Sequence, residues 1–169
     1  LQDKNVKTIL SAADLSEESQ LNNHCEEIAQ KCPQLDFAYV NAGISLPISS
    51  GSFEEGSVAG WAKTYQVNVI APWKIAYTLL KSARMVKNGK VFFISSSISG
   101  RLSEAAYACS KMALNKMVTD LAKTSKARSA EFCLIDPGWI STDMGGQMAP
   151  NNVETLFPGI IFPAATTHS

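Results

Sequence analysis

Short apolar runs at Lys7–Ala12, Leu35–Val40, Lys90–Ile94 and Glu131–Ile135 alternate with longer stretches at Ser16–Lys31, Ser57–Ala83 and Ala106–Lys123. The runs are rich in β-branched and aromatic residues and bounded by turn formers, which reads as buried strands, and the stretches between them are long enough for helices. A strand, a helix and a second strand in succession pair in parallel, because the helix carries the chain back along the sheet before the next strand begins. The alternation therefore predicts an α/β domain with a parallel sheet and helices on both faces. Ser16, followed by Glu17 and Glu18, supplies a helix start and Cys32-Pro33 a stop. Asn88-Gly89 reads as a turn leading into the strand at Lys90.

The 169 residues fit one domain spanning 1–169, and 46% hydrophobic residues supply its core. Fifteen basic residues balance fifteen acidic ones, so no overall field draws the chain to nucleic acid or to an anionic membrane. Lys123, Lys126 and Arg128 form the densest basic cluster and suit the end of a helix, where positive charge offsets the dipole. Cys25, Cys32, Cys109 and Cys133 lack Cys-x-x-Cys spacing, which argues against a metal site and fits a reducing, cytoplasmic setting. No apolar stretch approaches the roughly 20 residues that cross a bilayer.

Tyr107 and Lys111 carry the most chemical information. Four residues apart on a helix, they share a face, so the ammonium can sit beside the phenol or a common ligand. A nearby positive charge favours phenolate and would draw the tyrosine pKa from about 10 toward neutrality. Upstream, the strand Lys90–Ile94 ends in Ser95, Ser96 and Ser97, hydroxyls placed where open α/β sheets hold their ligands. Leu35–Val40 runs into Asn41-Ala42-Gly43, where small residues allow close backbone approach to a ligand. Asn68 is an amide among apolar neighbours in a long helix and needs a partner. Glu131–Ile135 closes on Asp136-Pro137-Gly138-Trp139-Ile140-Ser141-Thr142, a turn fixed by Pro-Gly.

Taken in this order, the motifs resemble the short-chain dehydrogenase/reductase family. Asn41-Ala42-Gly43, Asn68, the serine run, Tyr107 to Lys111, and Pro137-Gly138 with Thr142 each match a family motif, and the wording from Pro137 to Gly146 is most similar to the carbonyl-reductase and C-factor-like branch. The resemblance implies a Rossmann-like doubly wound sheet and hydride transfer between NAD or NADP and a small-molecule carbonyl or alcohol. It implies that Tyr107 gives its proton to the carbonyl oxygen, Lys111 lowers the tyrosine pKa and binds the nicotinamide ribose, Ser96 polarises the carbonyl and Asn68 supports a proton relay. Counting from the strand end favours Ser96, and counting back from Gly100 favours Ser97; Ser96 is the residue assigned. The resemblance further places Asp14 and Leu15 at the adenine, Asn41, Ala42 and Gly43 along the cofactor, and Pro137, Gly138, Ile140 and Thr142 at its carboxamide and phosphate side. It also raises pairing into a homodimer or homotetramer through the long helices, with Trp73, Tyr77 and Leu80 on one and Met112, Met117 and Leu121 on the other.

The chain departs from the family at its ends. Gly43, Gly51, Gly56 and Gly60 do not follow a strand in glycine-rich phosphate-loop spacing, and Lys7–Ala12 reads as the family's third strand, with the first two absent. In a sheet ordered 3-2-1-4-5-6 that strand would stand apart from Leu35–Val40. The tail from Val153 to Ile161 reads as a lid helix broken by Pro158-Gly159, and Thr166–Ser169 stop short of a last strand. The expectation is a part of a longer oxidoreductase, with a vestigial binding module as the second reading. A sugar-nucleotide epimerase, which shares Tyr-x-x-x-Lys, is disfavoured by the Pro-Gly-Trp-Ile-Ser-Thr turn. The preference between NADH and NADPH is not readable from these residues.

Overall fold

The computed structural model describes residues 8–46, 56–97, 104–123 and 130–165. Lys7, Gly51, Lys126, Arg128 and Thr166–Ser169 lie outside them.

Among the described residues three strands form one parallel sheet in the order β1 (Leu35–Val40), β2 (Met85–Ile94), β3 (Ala130–Ile135). The central strand is apolar on both faces, as burial on both sides requires, and Val91, Phe92 and Phe93 have no exposed surface. Helix α1 (Glu18–Lys31) precedes β1. The connection from β1 to β2 holds α2 (Val58–Tyr65), a π-helical turn (Gln66–Ile70) and α3 (Ala71–Lys81), and α4 (Ala105–Lys123) joins β2 to β3.

The main core sits on one face of the sheet. Val40, Val91 and Phe93 meet Ala76 and Leu79 of α3 and Leu114 and Val118 of α4, with Ile28 of α1 packed against them. A smaller cluster of Leu21, Cys25 and Ala71 joins α1 to α3. The alternate residues of the sheet point the other way, where Tyr39 lies stacked on Phe92 with ring centroids 4.6 Å apart. That face meets the C-terminal segment: Tyr39 Oη donates to the Ile160 carbonyl at 3.1 Å, and the buried Lys90 Nζ to the Pro163 carbonyl at 2.8 Å.

Three sequence expectations change. Of the strand expected at Lys7–Ala12, the described residues Thr8–Ala12 are irregular, with Ile9 and Leu10 exposed. An extended run becomes a strand only when a neighbour completes its ladder, and among the described residues β1 has a partner on its β2 side alone. Asn88-Gly89 lies inside β2, which begins at Met85 rather than after the turn. Between Leu35↔Met85 and Phe37↔Lys90 two steps along β1 span five along β2, and Asn88 takes φ 66° in the bulge. The expected lid helix at Val153–Ile161 is a 3₁₀ turn at Val153–Leu156 and further turns, before the short α5 (Phe162–Ala165).

Candidate active site

The carboxyl ends of all three strands open into one cleft of about 740 Å³. Asn41, Ala42 and Gly43 follow β1, Ser95, Ser96 and Ser97 follow β2, and Asp136 to Ile140 follow β3; Tyr107 and Lys111 reach it from α4. A parallel sheet brings these loops together because all its strands end on the same side.

Tyr107 is half-buried, and its phenol shares a hydrogen bond with the Ser96 hydroxyl. Ser97 turns elsewhere, its backbone N–H donating to Asp136 Oδ2 at 2.7 Å, and the Ser95 hydroxyl is bonded to Asn115. Of the three serines, Ser96 is thus the one joined to the tyrosine.

Lys111 is buried, 3% exposed, and donates to the Ile94 carbonyl at 2.8 Å while standing 5.5 Å from the Tyr107 ring centroid. Burial lowers its pKa from 10.5 to about 8. The expected pull of this lysine on the tyrosine is not found. Burial raises the Tyr107 pKa above its usual value, the hydrogen bond with Ser96 opposes that, and the charges of Glu104 and Asp136 add to the rise. An ammonium committed to a backbone carbonyl does not reach the phenol oxygen as a hydrogen-bond partner would. Asp136 is pushed up by burial but held below the usual carboxylate range by hydrogen bonds from Ser97 and from the Gly138 N–H.

Asn68 has no exposed surface and stands behind the cleft wall. Its Oδ1 accepts from the Ile44 N–H at 2.8 Å, and its Nδ2 donates to the Ile44 carbonyl and to Ser110 Oγ, both at 2.9 Å. The π-helical turn that carries it has a local cause in Pro72, which lacks the N–H that would close an α-helical bond to the Asn68 carbonyl.

After β3, Gly138 adopts φ 75° and Gly146 φ 72°, conformations costly for a residue with a Cβ. The Trp139 indole donates to the Gly145 carbonyl at 2.8 Å, and Thr142 Oγ1 accepts from the Gly145 N–H at 3.1 Å. A Cβ on Gly145 would lie 1.9 Å from the Ile140 oxygen, so this tight turn admits no larger residue without moving. Ile140 and Asn151 form a short parallel bridge that brings Val153, Leu156 and Ile160 over the cleft.

The structure brings Asn41, Ala42, Gly43, Ser96, Tyr107, Lys111, Pro137, Gly138, Ile140 and Thr142 to one cleft. Asp14 and Leu15 are not among its walls. The exposed Asp14 carboxylate accepts from Ser16 N and Ser16 Oγ at 2.9 and 2.7 Å in the turn that precedes α1, while Leu15 packs on the Leu21 cluster. Sequence reasoning passed over the Ile94 carbonyl, Glu104, Asp136 and Ser110. Ser110 alone left a signal, as a small polar residue three positions after Tyr107 on a helix whose same face had to be buried.

Comparison with known proteins places the chain in a family. A family model described as short chain dehydrogenase matches residues 1–152. The benzil reductase ((S)-benzoin forming) IRC24 of Saccharomyces cerevisiae is 31% identical over 166 residues, 94% of this chain and 61% of the relative. C-signal of Myxococcus xanthus is 30% identical over 118 residues, 66% of this chain and 69% of the relative. Among solved structures, a gluconate 5-dehydrogenase described as NAD(P)-dependent, from Beutenbergia cavernae with bound NADP, superposes with TM-score 0.71 at 27% identity, over 85% of this chain and 57% of the other. The chain spans 61% of the length of the yeast reductase.

Proposed function

The chain belongs to the short-chain dehydrogenase family, and on that premise we propose that it carries the catalytic residues of an NAD(P)-dependent oxidoreductase acting on a carbonyl or alcohol. The observation that carries the reading is the Ser96–Tyr107 hydrogen bond, with Lys111 buried behind it, in a cleft that also holds Gly43 and the Pro137-Gly138 turn.

The residues present fit the nicotinamide end of a dinucleotide. Gly43 lies against Lys111, where a Cβ would stand 3.4 Å from Nζ, and Thr142 and Lys111 bring a hydroxyl and an ammonium to the same cleft. Such a cofactor supplies or accepts the hydride when bound. In the direction of reduction Tyr107 donates its phenolic proton to the carbonyl oxygen, and Ser96 donates a hydrogen bond to the same oxygen, the two hydroxyls turning from each other to the substrate. A phenol whose pKa is raised by burial stays protonated at neutral pH, as a donor must be. Lys111 would bind the cofactor ribose, Asn41 and Ala42 would border the cofactor beside Gly43, and Pro137, Gly138 and Ile140 would hold its carboxamide side. Asn68 supports these residues from behind the wall.

Trp139, Met144, Val153, Leu156 and Ile160 make one side of the cleft apolar, which favours bulky apolar or aromatic carbonyl substrates. The yeast relative, by its name a benzil reductase, points to the same class. Trp73, Tyr77 and Met112 are exposed at 44%, 42% and 70%, and a second copy of the chain against these helices would cover them. Among the described residues no helix is long and apolar enough to cross a membrane, and the four free cysteines suit a reducing, cytoplasmic compartment.

The test is NADPH oxidation with benzil, comparing the protein with its Tyr107→Phe variant. Loss of turnover by about a hundredfold or more with nucleotide binding retained supports the assignment. Equal turnover removes Tyr107 from its role. A module that only binds, the other reading of the sequence, has no specific observation in its favour.

A further inference from the structure

Ser110 lies between the two residues of the Tyr107–Lys111 pair and has no exposed surface. Its hydroxyl carries one hydrogen, which it donates to the Tyr107 carbonyl at 2.7 Å. That leaves its lone pairs to face Asn68, and it accepts from Asn68 Nδ2 at 2.9 Å. The second Nδ2 hydrogen goes to the Ile44 carbonyl and Oδ1 takes the Ile44 N–H. Each polar group in this chain of contacts therefore has a direction. Turned over, the Asn68 amide would set its oxygen against a hydroxyl whose hydrogen is engaged and its NH2 against the Ile44 N–H. Ser110 and the Ile44 backbone thereby agree on which way the amide points, and Ser110 is the side chain that ties it to α4.

The consequence reaches the cleft. Ile44 follows Gly43, and Gly43 neighbours both Asn68 Oδ1 and Lys111 Nζ, each 3.4 Å from where an added Cβ would stand. The turn after β1, the π-helical segment and α4 are thus tied at one point, and that point covers the lysine ammonium.

We propose that Ser110 is a positioning residue for the oxidoreductase site described above: by anchoring the Asn68 amide to α4 it holds the Gly43-Ile44 turn over Lys111 and keeps the ammonium on the Ile94 carbonyl. The proposal rests on the reading of Lys111 as part of that site, while its geometry does not depend on the cofactor.

The experiment measures the ionisation of Lys111 by competitive acetylation with acetic anhydride across a pH series, followed by peptide mass analysis. It is run on the protein, on Ser110→Ala and on Ser110→Cys, which keeps nearly the volume of serine with a weaker donor. Tyr107, Glu104 and Asp136 line the same cleft and are present in every sample, so the difference between samples reads the access of water to the lysine. In the unaltered protein the midpoint lies near 8, because burial is what lowers it. Loosening the turn admits water, so the midpoint should rise by about half a unit or more in Ser110→Ala and by less in Ser110→Cys. If Ser110→Ala does not fold, the rise in Ser110→Cys decides. A folded variant with lower stability and an unchanged midpoint overturns the proposal, because it marks Ser110 as packing alone. The samples hold neither cofactor nor substrate, so a failure of the oxidoreductase reading shows separately, as absence of NADPH oxidation.

Discussion

Lys111 donates its hydrogen bond to the Ile94 carbonyl at 2.8 Å and passes Tyr107 at 5.5 Å from the ring centroid. The lysine of the pair is therefore anchored to the end of β2, and the phenol of Tyr107 takes its partner from the next residue but one on that same chain, Ser96. Both side chains of the motif are held by the strand end, which makes the geometry of β2 the frame of the site.

The first prediction concerns stability against pH. The folded pKa of Lys111 is depressed to about 8 against 10.5, so between these values the unfolded chain holds a proton that the folded protein has lost. Folding stability then rises with pH through that window, by at most about 1.4 kcal/mol per unit, and the lysine's penalty is present in full below pH 8. Urea unfolding of the protein and of Lys111→Met from pH 7 to 10 checks it. The unaltered protein should gain on the variant as pH climbs, and parallel curves would mean that the lysine is not desolvated.

The second sets two substitutions against each other. The Ser96 hydrogen bond lowers the Tyr107 pKa and the Glu104 charge raises it. Ser96→Ala should move the phenol titration up and Glu104→Gln should move it down, as seen in ultraviolet difference spectra with Tyr107→Phe to identify the signal. Shifts of the same sign would contradict the assigned contacts.

The third is a cost in stability. Asn68→Ala leaves the Ile44 N–H and the Ser110 hydroxyl without their amide partner in a site with no exposure, and should destabilise the fold by about 2–4 kcal/mol. A loss below about 1 kcal/mol in urea unfolding, the size of one ordinary hydrogen bond, would show that water or a neighbour replaces the amide.

The fourth separates two adjacent glycines. Gly145→Ala forces a Cβ to within 1.9 Å of the Ile140 oxygen, so the turn must shift and the Trp139 indole should lose the Gly145 carbonyl. Gly146→Ala meets nothing within 4 Å and carries only the strain of φ 72°, about 1 kcal/mol. Tryptophan emission should move to the red in the first and stay in place in the second. The same spectrum from both variants would reject the tight turn.

Much of this was legible from local pattern. Leu35–Val40 was read with its observed bounds and Glu131–Ile135 lacked one residue, because a buried strand between turn formers needs nothing beyond its own residues to be recognised. The cleft residues were legible for a related reason: in a parallel sheet every strand end faces the same way, so small and polar residues after each apolar run must converge. Lys7–Ala12 has the same kind of apolar pattern and is no strand over Thr8–Ala12. What it lacks is a ladder partner, which lies outside any local window.

The sequence by itself determined the parallel α/β plan and the helical spacing that puts Tyr107 and Lys111 on one face, since both follow from periodicity and covalent order. Only the tertiary structure decided that Ser96 rather than Ser97 meets the phenol, that Lys111 turns to Ile94, that the Asp14 carboxylate is taken by Ser16, and that Ser110 closes on Asn68 across 42 residues. Those outcomes depend on which donor finds which acceptor once water is excluded, and that choice belongs to packing between elements, where residue type and spacing along the chain leave several partners equally eligible.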